Sequence, residues 1–265
     1  MIFSELVYLV RVVVGIDSFS IKSVLASLIP CNYFVILYVC LFILSPYINK
    51  LLDILSNKQA YIFVLILLIL FSVQPTMVDV LSEIKGSKIV GLSFIGAYGS
   101  QYGYTIINFT LMYILGAYLR KNEEKIKKLS YVKLLLYLCV DILLITVWSL
   151  INDKTAWEYC NPLVIVLAVL VFIIFCKMNI KYNKIINTIA KAAFTVFLLH
   201  SEAFRFIGIK YFVNKTYFIM IGHIVVSSVI IYMVCWFVWW IYDWIMSLVY
   251  RRIEKRLHIP EINID

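Results

Sequence analysis

Hydrophobic residues form long runs along this chain, separated by short polar stretches. Division at the charged interruptions gives eight apolar segments: Leu6–Ile16, Tyr33–Ile48, Ala60–Val73, Tyr104–Leu119, Leu134–Ile151, Pro162–Cys176, Ile189–Ile207 and Tyr217–Val249. A helix rises about 1.5 Å per residue and needs about 20 residues to cross a hydrocarbon core of about 30 Å. Several segments are shorter than this. The pattern predicts an all-α fold, a polytopic transmembrane helix bundle of about seven to eight spans.

Composition supports a membrane protein and excludes other classes. Of the 265 residues 63% are hydrophobic and only 15% are charged, and the mean hydropathy is +0.95. A water-soluble enzyme, a disordered chain and a secreted disulfide scaffold do not have this composition. The six cysteines show no C-x-x-C spacing, which favours free thiols and no metal site. The net charge of +9 is typical of cytoplasmic loops and does not require a nucleic-acid partner.

The distribution of basic residues predicts the orientation of the bundle. Sixteen Lys and Arg residues follow the second, fourth, sixth and eighth segments, against seven on the opposite side. Because basic loops stay in the cytoplasm, both termini are placed there. Four tryptophans precede Arg251 and Arg252 at the end of the last segment, as expected at a membrane interface. Residues 1–250 are therefore interpreted as a single transmembrane domain, and residues 251–265 as a short cytoplasmic tail.

Ionisable residues in apolar segments are candidates for function, since burying a charge in hydrocarbon is costly. His200, Glu202 and Arg205 lie near the outer end of the seventh segment, and His223 lies near the start of the eighth. One interpretation is a Glu–Arg ion pair and two hydrogen-bonded histidines that anchor the helices. The other is an outer polar site, where a histidine handles protons and the arginine holds an anionic or carbonyl group.

Two other features leave their roles open. Asp141, in the fifth segment, faces either a polar cavity or a hydroxyl or amide partner, and Asp243 is expected to be an interfacial anchor. The connection Gly86–Tyr104 is long for a helix bundle and carries several glycines and tyrosines. Its composition suits sugar stacking or re-entrant packing, and it is predicted to lie outside the membrane.

Three stretches of the sequence resemble the membrane acyltransferase 3 family. They are Tyr33-Phe34 and Tyr38 followed by LSPYINKL (Leu44–Leu51), FTLMYILGAYLRK (Phe109–Lys121) and IAKAAFTVFLLH (Ile189–His200). The resemblance covers about Ile21 to Val249. It implies a multi-pass O-acyltransferase of the bacterial inner membrane, which moves an acyl group, usually acetyl from acetyl-CoA, onto a hydroxyl of a surface or capsular polysaccharide. Polysaccharide transport or polymerisation is the alternative, and an inactive remnant is a further one.

The resemblance also indicates which part of the family pattern is present. The family's proposed catalytic histidine lies in an N-terminal helix, preceded by an arginine. Counting eleven residues from Arg11 reaches Lys22, so this histidine has no counterpart here. The segment Leu6–Ile16, with Arg11 at its middle, also reads like the end of a longer helix. We therefore expect the C-terminal portion of an acyltransferase, with catalytic residues unassigned. Its expected partners are the lipid bilayer, a glycan acceptor and a separate N-terminal fragment.

Overall fold

The chain is mainly helical where its structure is described. The computed structural model describes residues 8–9, 11–15, 18–22, 33–178, 181–203 and 215–257. Across these ranges there is no β-strand, only an isolated bridge between Val90 and Tyr98. The predicted all-α class is confirmed for this part of the chain. Backbone contacts divide it into two compact units, Met1–Asn179 and Ile180–Asp265.

Eight α-helices form the body of the first unit in the described residues. They are α1 Tyr33–Ile54, α2 Asn57–Leu68, α3 Gln74–Lys85, α4 Ile106–Lys121, α5 Glu123–Lys127, α6 Tyr131–Ile151, α7 Asp153–Ala156 and α8 Pro162–Lys177. A π-helical turn, Ile69–Val73, joins α2 to α3 without a break, so the two form one continuous rod. Such turns are rare and often lie at functional sites.

Local sequence signals explain where these helices begin and end. Ser56 and Gln59 form a reciprocal capping box at the start of α2, in which each side chain binds the other residue's backbone N–H. Asn161 caps α8 by accepting a 2.9 Å hydrogen bond from the N–H of Leu163. Gly86 ends α3 in the left-handed conformation that glycine adopts without strain.

Two apolar clusters hold the first unit together. The larger joins α1, α2, α4 and α8 through the buried side chains Leu52, Val64, Leu111, Ile114, Leu115 and Ile165. The smaller joins α5, α6 and α8 through Ile126, Leu134, Leu170 and Ile173. The rest of the helix surfaces is rich in exposed large apolar side chains, as expected of faces that contact lipid.

Polar contacts bring together two of the segments that carry the family resemblance. The Tyr113 hydroxyl on α4 donates a 2.9 Å hydrogen bond to Asn49 Oδ1 on α1. At the end of α4, Lys121 Nζ donates to the carbonyl oxygens of Leu52, at 3.1 Å, and Leu55, at 2.7 Å. These carbonyls lie at the C-terminal end of α1, where a cation satisfies unpaired acceptors and the helix dipole.

Replacing Lys121 by methionine is therefore expected to lower the free energy of unfolding by about 1–2 kcal/mol, since hydrogen bonds from a charged donor are lost. The matched control is Lys125→Met, an exposed lysine on α5. Thermal unfolding of purified protein in detergent should show a lower midpoint for Lys121→Met alone. Equal midpoints for the two variants would contradict this role of Lys121.

The second unit contains α9 Lys184–Ala190, α10 Ala193–Ala203 and the long helix α11 Tyr217–Leu257. The Tyr232 hydroxyl on α11 donates a 2.9 Å hydrogen bond to the carbonyl oxygen of Ile189 at the end of α9. Ala192, Ile231 and Cys235 are buried within this unit. Helix α11 continues past residue 250, through the first half of the predicted tail.

Four helices of the described residues are long and apolar enough to cross a membrane: Tyr33–Ile54, Asn57–Lys85, Tyr131–Ile151 and Tyr217–Tyr250. A multi-pass membrane protein is thus supported, while the number of seven to eight spans and the placement of the termini stay predictions. The seventh predicted segment, Ile189–Ile207, is not one continuous helix. A turn at Lys191 and Ala192, closed by the N–H of Ala192 bonding the carbonyl of Ile189 at 3.1 Å, separates α9 from α10.

Candidate functional site

The predicted outer cluster of His200, Glu202, Arg205 and His223 is described only in part. On α10, His200 Nδ1 lies 2.6 Å from the carbonyl oxygen of Phe197, which places the imidazole proton on Nδ1. On α11, His223 Nε2 lies 3.3 Å from the Ser227 hydroxyl. The side chain of Glu202 and all of Arg205 lie outside the described residues, so the cluster stays a prediction.

A polar cavity lies instead in the first unit, at the end where α3 and α6 terminate. Its volume is about 640 Å³, within the size range of small-molecule sites. The lining comes from the end of α3, the Gly86–Tyr104 connection and the segment after α6. Its polar and aromatic members include Asp79, Glu83, Lys88, Tyr98, Ser100, Gln101, Tyr102, Lys154, Thr155 and Glu158.

Ser100 connects the two carboxyl groups at the base of this cavity. Its backbone N–H donates a 2.7 Å hydrogen bond to Asp79 Oδ2. Its hydroxyl donates a 2.6 Å hydrogen bond to Glu158 Oε2. Ser100 and Glu158 are both buried, with 1% and 7% of their surfaces exposed. One residue of the Gly/Tyr connection thus ties together side chains that are 79 positions apart in the chain.

The backbone around Ser100 is held in an unusual conformation. Gly99, Gln101, Tyr102 and Gly103 have φ values of +52°, +52°, +59° and +80°. Left-handed conformations are uncommon for residues other than glycine and cost on the order of 1–3 kcal/mol each. Surrounding contacts must therefore stabilise this stretch. Among them are the 2.6 Å bond from the Ser93 hydroxyl to the Gly99 carbonyl and the 3.1 Å bond from the Tyr102 N–H to Ser100 Oγ.

The segment after α6 packs under the same stretch. The Tyr159 N–H donates to the carbonyl oxygen of Tyr102 at 3.2 Å. Ser72, fully buried in the π-helical turn, donates to the carbonyl oxygen of Cys160 at 2.6 Å. The Asn161 amide donates to the carbonyl of Thr155 at 2.9 Å. Each of these bonds fixes the position of Glu158, which has no regular helix of its own.

Electrostatics make Glu158 titrate near neutrality. Burial is the largest cause of a pKa that is raised from 4.5 to about 7; the negative charge and hydrogen bond of Asp79 add to this rise, and the hydrogen bond from Ser100 opposes it. A carboxyl group with a pKa of about 7 can both accept and donate protons at physiological pH.

The two lysines of the cavity lining have other contacts. Lys154 Nζ lies 3.6 Å from Glu83 Oε1, and Lys88 Nζ lies 5.4 Å from the centre of the Tyr98 ring.

The neighbouring Cys160 thiol, unlike Glu158, does not ionise near neutral pH. Cys160 is completely buried, and burial raises the pKa of its thiol to about 11. Because the thiolate is the nucleophile, a buried thiol that stays protonated at pH 7 is a poor nucleophile.

Asp141 and Asp243 occupy different environments. Asp141, near the middle of α6, is only 4% exposed, and its Oδ2 has no hydrogen-bond partner within the described structure. It does not line the cavity. Asp243 on α11 is exposed, and its expected role as an interfacial anchor stays a prediction. Across the described part of the chain, no group of three or more side chains is arranged to hold a metal ion.

Sequence reasoning identified half of this site. It singled out the Gly86–Tyr104 connection, including Gly99, Tyr98 and Tyr102, all of which lie at the cavity. It missed Asp79 and Glu158. The available signal was the i, i+4 pair Asp79 and Glu83, which places two carboxylates on one face at the end of the long apolar rod Asn57–Lys85.

Together, the all-α architecture and four membrane-spanning candidates define an integral membrane protein with a polar cavity at the end of its helices. Comparison with known families gives the class. A family model described as an acyltransferase domain, that of the acyltransferase 3 family, matches residues 2–240. The chain therefore belongs to the acyltransferase 3 family. Comparison with curated proteins and with solved structures found no match.

Proposed function

We propose that this protein is a membrane O-acyltransferase that acylates a hydroxyl of a cell-surface or capsular polysaccharide, with acetyl-CoA as the acyl donor. The family match over residues 2–240 carries the proposal. The polar cavity supports it, because a polar pocket at the end of apolar helices can receive a water-soluble acceptor. The proposed location is the bacterial inner membrane, with the cavity on the outer side.

The reaction sets requirements that a site must meet. The acceptor oxygen attacks the thioester carbonyl carbon, the C–O bond forms, the C–S bond breaks, and coenzyme A leaves as its thiolate, which takes up a proton. The hydroxyl proton must pass to a base, and polar donors must stabilise the oxyanion that develops at the carbonyl. A separate polypeptide that contributes an arginine and a histidine is the partner we propose for the chemical step.

Distribution of charge supports the proposed orientation. The cavity end of the first unit carries the acidic residues Asp79, Glu83 and Glu158. The opposite end carries a basic stretch around α5, with Arg120, Lys121, Lys125, Lys127, Lys128 and Lys133. Basic residues are retained in the cytoplasm, and they also suit the phosphates of coenzyme A. We propose that the phosphates of the donor bind at this basic end, that the acceptor approaches the cavity, and that the thioester arm of the donor enters the bundle from the basic end to reach the acceptor.

An acyl-transfer assay tests the proposal. Membranes that contain the chain, with and without a co-expressed Arg- and His-bearing N-terminal helix segment, are supplied with radiolabelled acetyl-CoA and bacterial surface glycan. The expected product is labelled glycan from which mild alkali releases the label, as an ester requires. Membranes without the chain are the control. No labelled glycan in either arm would refute the proposal, as would lengthened or translocated glycan without acylation, which indicates polymerisation or transport.

A further inference from the structure

We propose that the cavity at Ser100 binds an uncharged, hydroxyl-rich sugar unit, which is the acceptor of the acyl group. The inference rests on the proposed function and adds the place and the charge of the ligand. It depends on three observations: the chemical nature of the lining, its charge balance and the preformed shape of the Gly99–Gly103 stretch.

The lining offers what a sugar requires. Tyr98 and Tyr102 keep 54% and 62% of their surfaces exposed, so the Tyr102 ring, and the part of the Tyr98 ring that Lys88 does not cover, are accessible to the apolar C–H face of a sugar. Asp79, Glu83 and Gln101 line the same cavity. Carboxylate oxygens accept hydrogen bonds from hydroxyl groups, and a glutamine amide can both donate and accept them. Aromatic faces beside a few polar groups provide contact area together with orientation.

The charge of the lining argues against an anionic ligand. Three carboxyl groups meet two lysines here, and no arginine lines the cavity in the described residues. Lys154 already lies near Glu83, and Lys88 lies over the Tyr98 ring. A phosphate or a uronic acid would therefore meet carboxylates with no uncommitted cation to balance them. Coenzyme A is disfavoured in this cavity for the same reason, while an uncharged sugar meets no such repulsion.

The cavity is formed before a ligand arrives. The stretch Gly99–Gly103, in which every residue except Ser100 is left-handed, is fixed by hydrogen bonds to Asp79, Glu158, Ser93 and Tyr159. Strained backbone that is held by its surroundings is characteristic of binding sites. A preformed site loses little conformational entropy on binding. The left-handed backbone therefore has a function, because it directs the Tyr102 side chain towards the cavity.

Ligand-observed NMR tests this assignment without an acyl donor. The full chain in lipid nanodiscs is mixed with four neutral trisaccharides (maltotriose, mannotriose, galactotriose and triacetylchitotriose) and, separately, with trigalacturonate. Saturation transfer is expected to at least one neutral trisaccharide and not to trigalacturonate. Tyr98→Ala and Glu83→Gln are each expected to weaken binding at least fivefold. Tyr182→Ala, an exposed tyrosine of the second unit with 82% of its surface accessible, is the matched control and should leave binding unchanged.

Each result decides the assignment. Absence of saturation transfer to all four neutral sugars would overturn it, as would equal or tighter binding of trigalacturonate. Unchanged binding by Tyr98→Ala would overturn it too, and because this ring is more than half exposed, the variant is expected to fold, which its unfolding midpoint checks. Sugar binding without acyl transfer would refute the proposed function alone. Acyl transfer that is insensitive to the cavity variants would refute the pocket alone.

Discussion

Substitution of Gly99 by alanine is expected to lower the free energy of unfolding by about 3–5 kcal/mol, against about 1–2 kcal/mol for the same change at Gly86. Both glycines have positive φ, +52° and +69°, so alanine is strained at either position. Only at Gly99 would the new Cβ also lie 1.7 Å from Asp79 Oδ1, whereas nothing lies within 4 Å at Gly86. Asp79 would have to move and give up its charge-assisted hydrogen bond from Ser100.

The comparison between these two variants isolates the steric conflict, because the backbone strain is common to both. Thermal unfolding midpoints in detergent measure it, at roughly 2–4 °C per kcal/mol for a chain of this size. We also expect Gly99→Ala to lose the neutral-sugar binding proposed for the cavity, and Gly86→Ala to retain it. Similar midpoints for the two variants would show that the loop does not pack on Asp79 as described.

Replacement of Glu158 by glutamine is expected to remove a loss of stability that the wild type undergoes as the pH rises from 4.5 to about 7. The folded pKa of about 7 lies above the ordinary 4.5, so the folded chain binds this proton more tightly than the unfolded chain does. Well below pH 4.5 the carboxyl group is neutral in both states, so its burial carries no ionisation penalty. As the pH rises to about 7 the unfolded chain ionises first, and the wild type loses on the order of 3 kcal/mol relative to Glu158→Gln.

Glutamine preserves the shape of the side chain and an oxygen that can accept the Ser100 hydroxyl, so the variant changes charge with little change in packing. Unfolding midpoints measured at half-unit intervals from pH 4.5 to pH 8 test the prediction. Glu124→Gln is the matched control, since this α5 carboxylate is 87% exposed and its removal should leave the pH profile of the wild type. A Glu158→Gln profile parallel to that of the wild type would contradict the burial of an ionisable group at this position.

The sequence predicted the helices well because apolar runs of transmembrane length have few alternatives. Tyr33–Ile54 forms one helix even though Pro46 lies inside it, as the apolar pattern had indicated. The break between α9 and α10 could not be predicted, because neither proline nor glycine marks it. It arises from backbone hydrogen bonding at Lys191 and Ala192.

The candidate site was harder to predict, because it depends on contacts between distant parts of the chain. Composition alone pointed to the Gly86–Tyr104 connection, since glycines and tyrosines in a long loop are unusual. Nothing local distinguishes Glu158 from an ordinary solvated loop residue. Its pKa is raised by burial, which only the packing of the folded chain provides, and by Asp79, which is 79 positions away; its hydrogen-bond partner Ser100 is 58 positions away.

The π-helical turn Ile69–Val73 contains one more residue than an α-helical turn, and this extra residue determines the direction in which Asp79 points. A helix turns about 100° per residue, so one additional residue within a turn rotates everything that follows by about that angle. Asp79 and Glu83 face the Gly99–Gly103 stretch only in the register that follows this turn. Deletion of a single residue between Ile69 and Val73 would turn both carboxylates away by roughly 100°, with every side chain of the site intact. The acidic side of the cavity therefore depends on the extra residue in the apolar π-helical turn as much as on the acidic residues themselves.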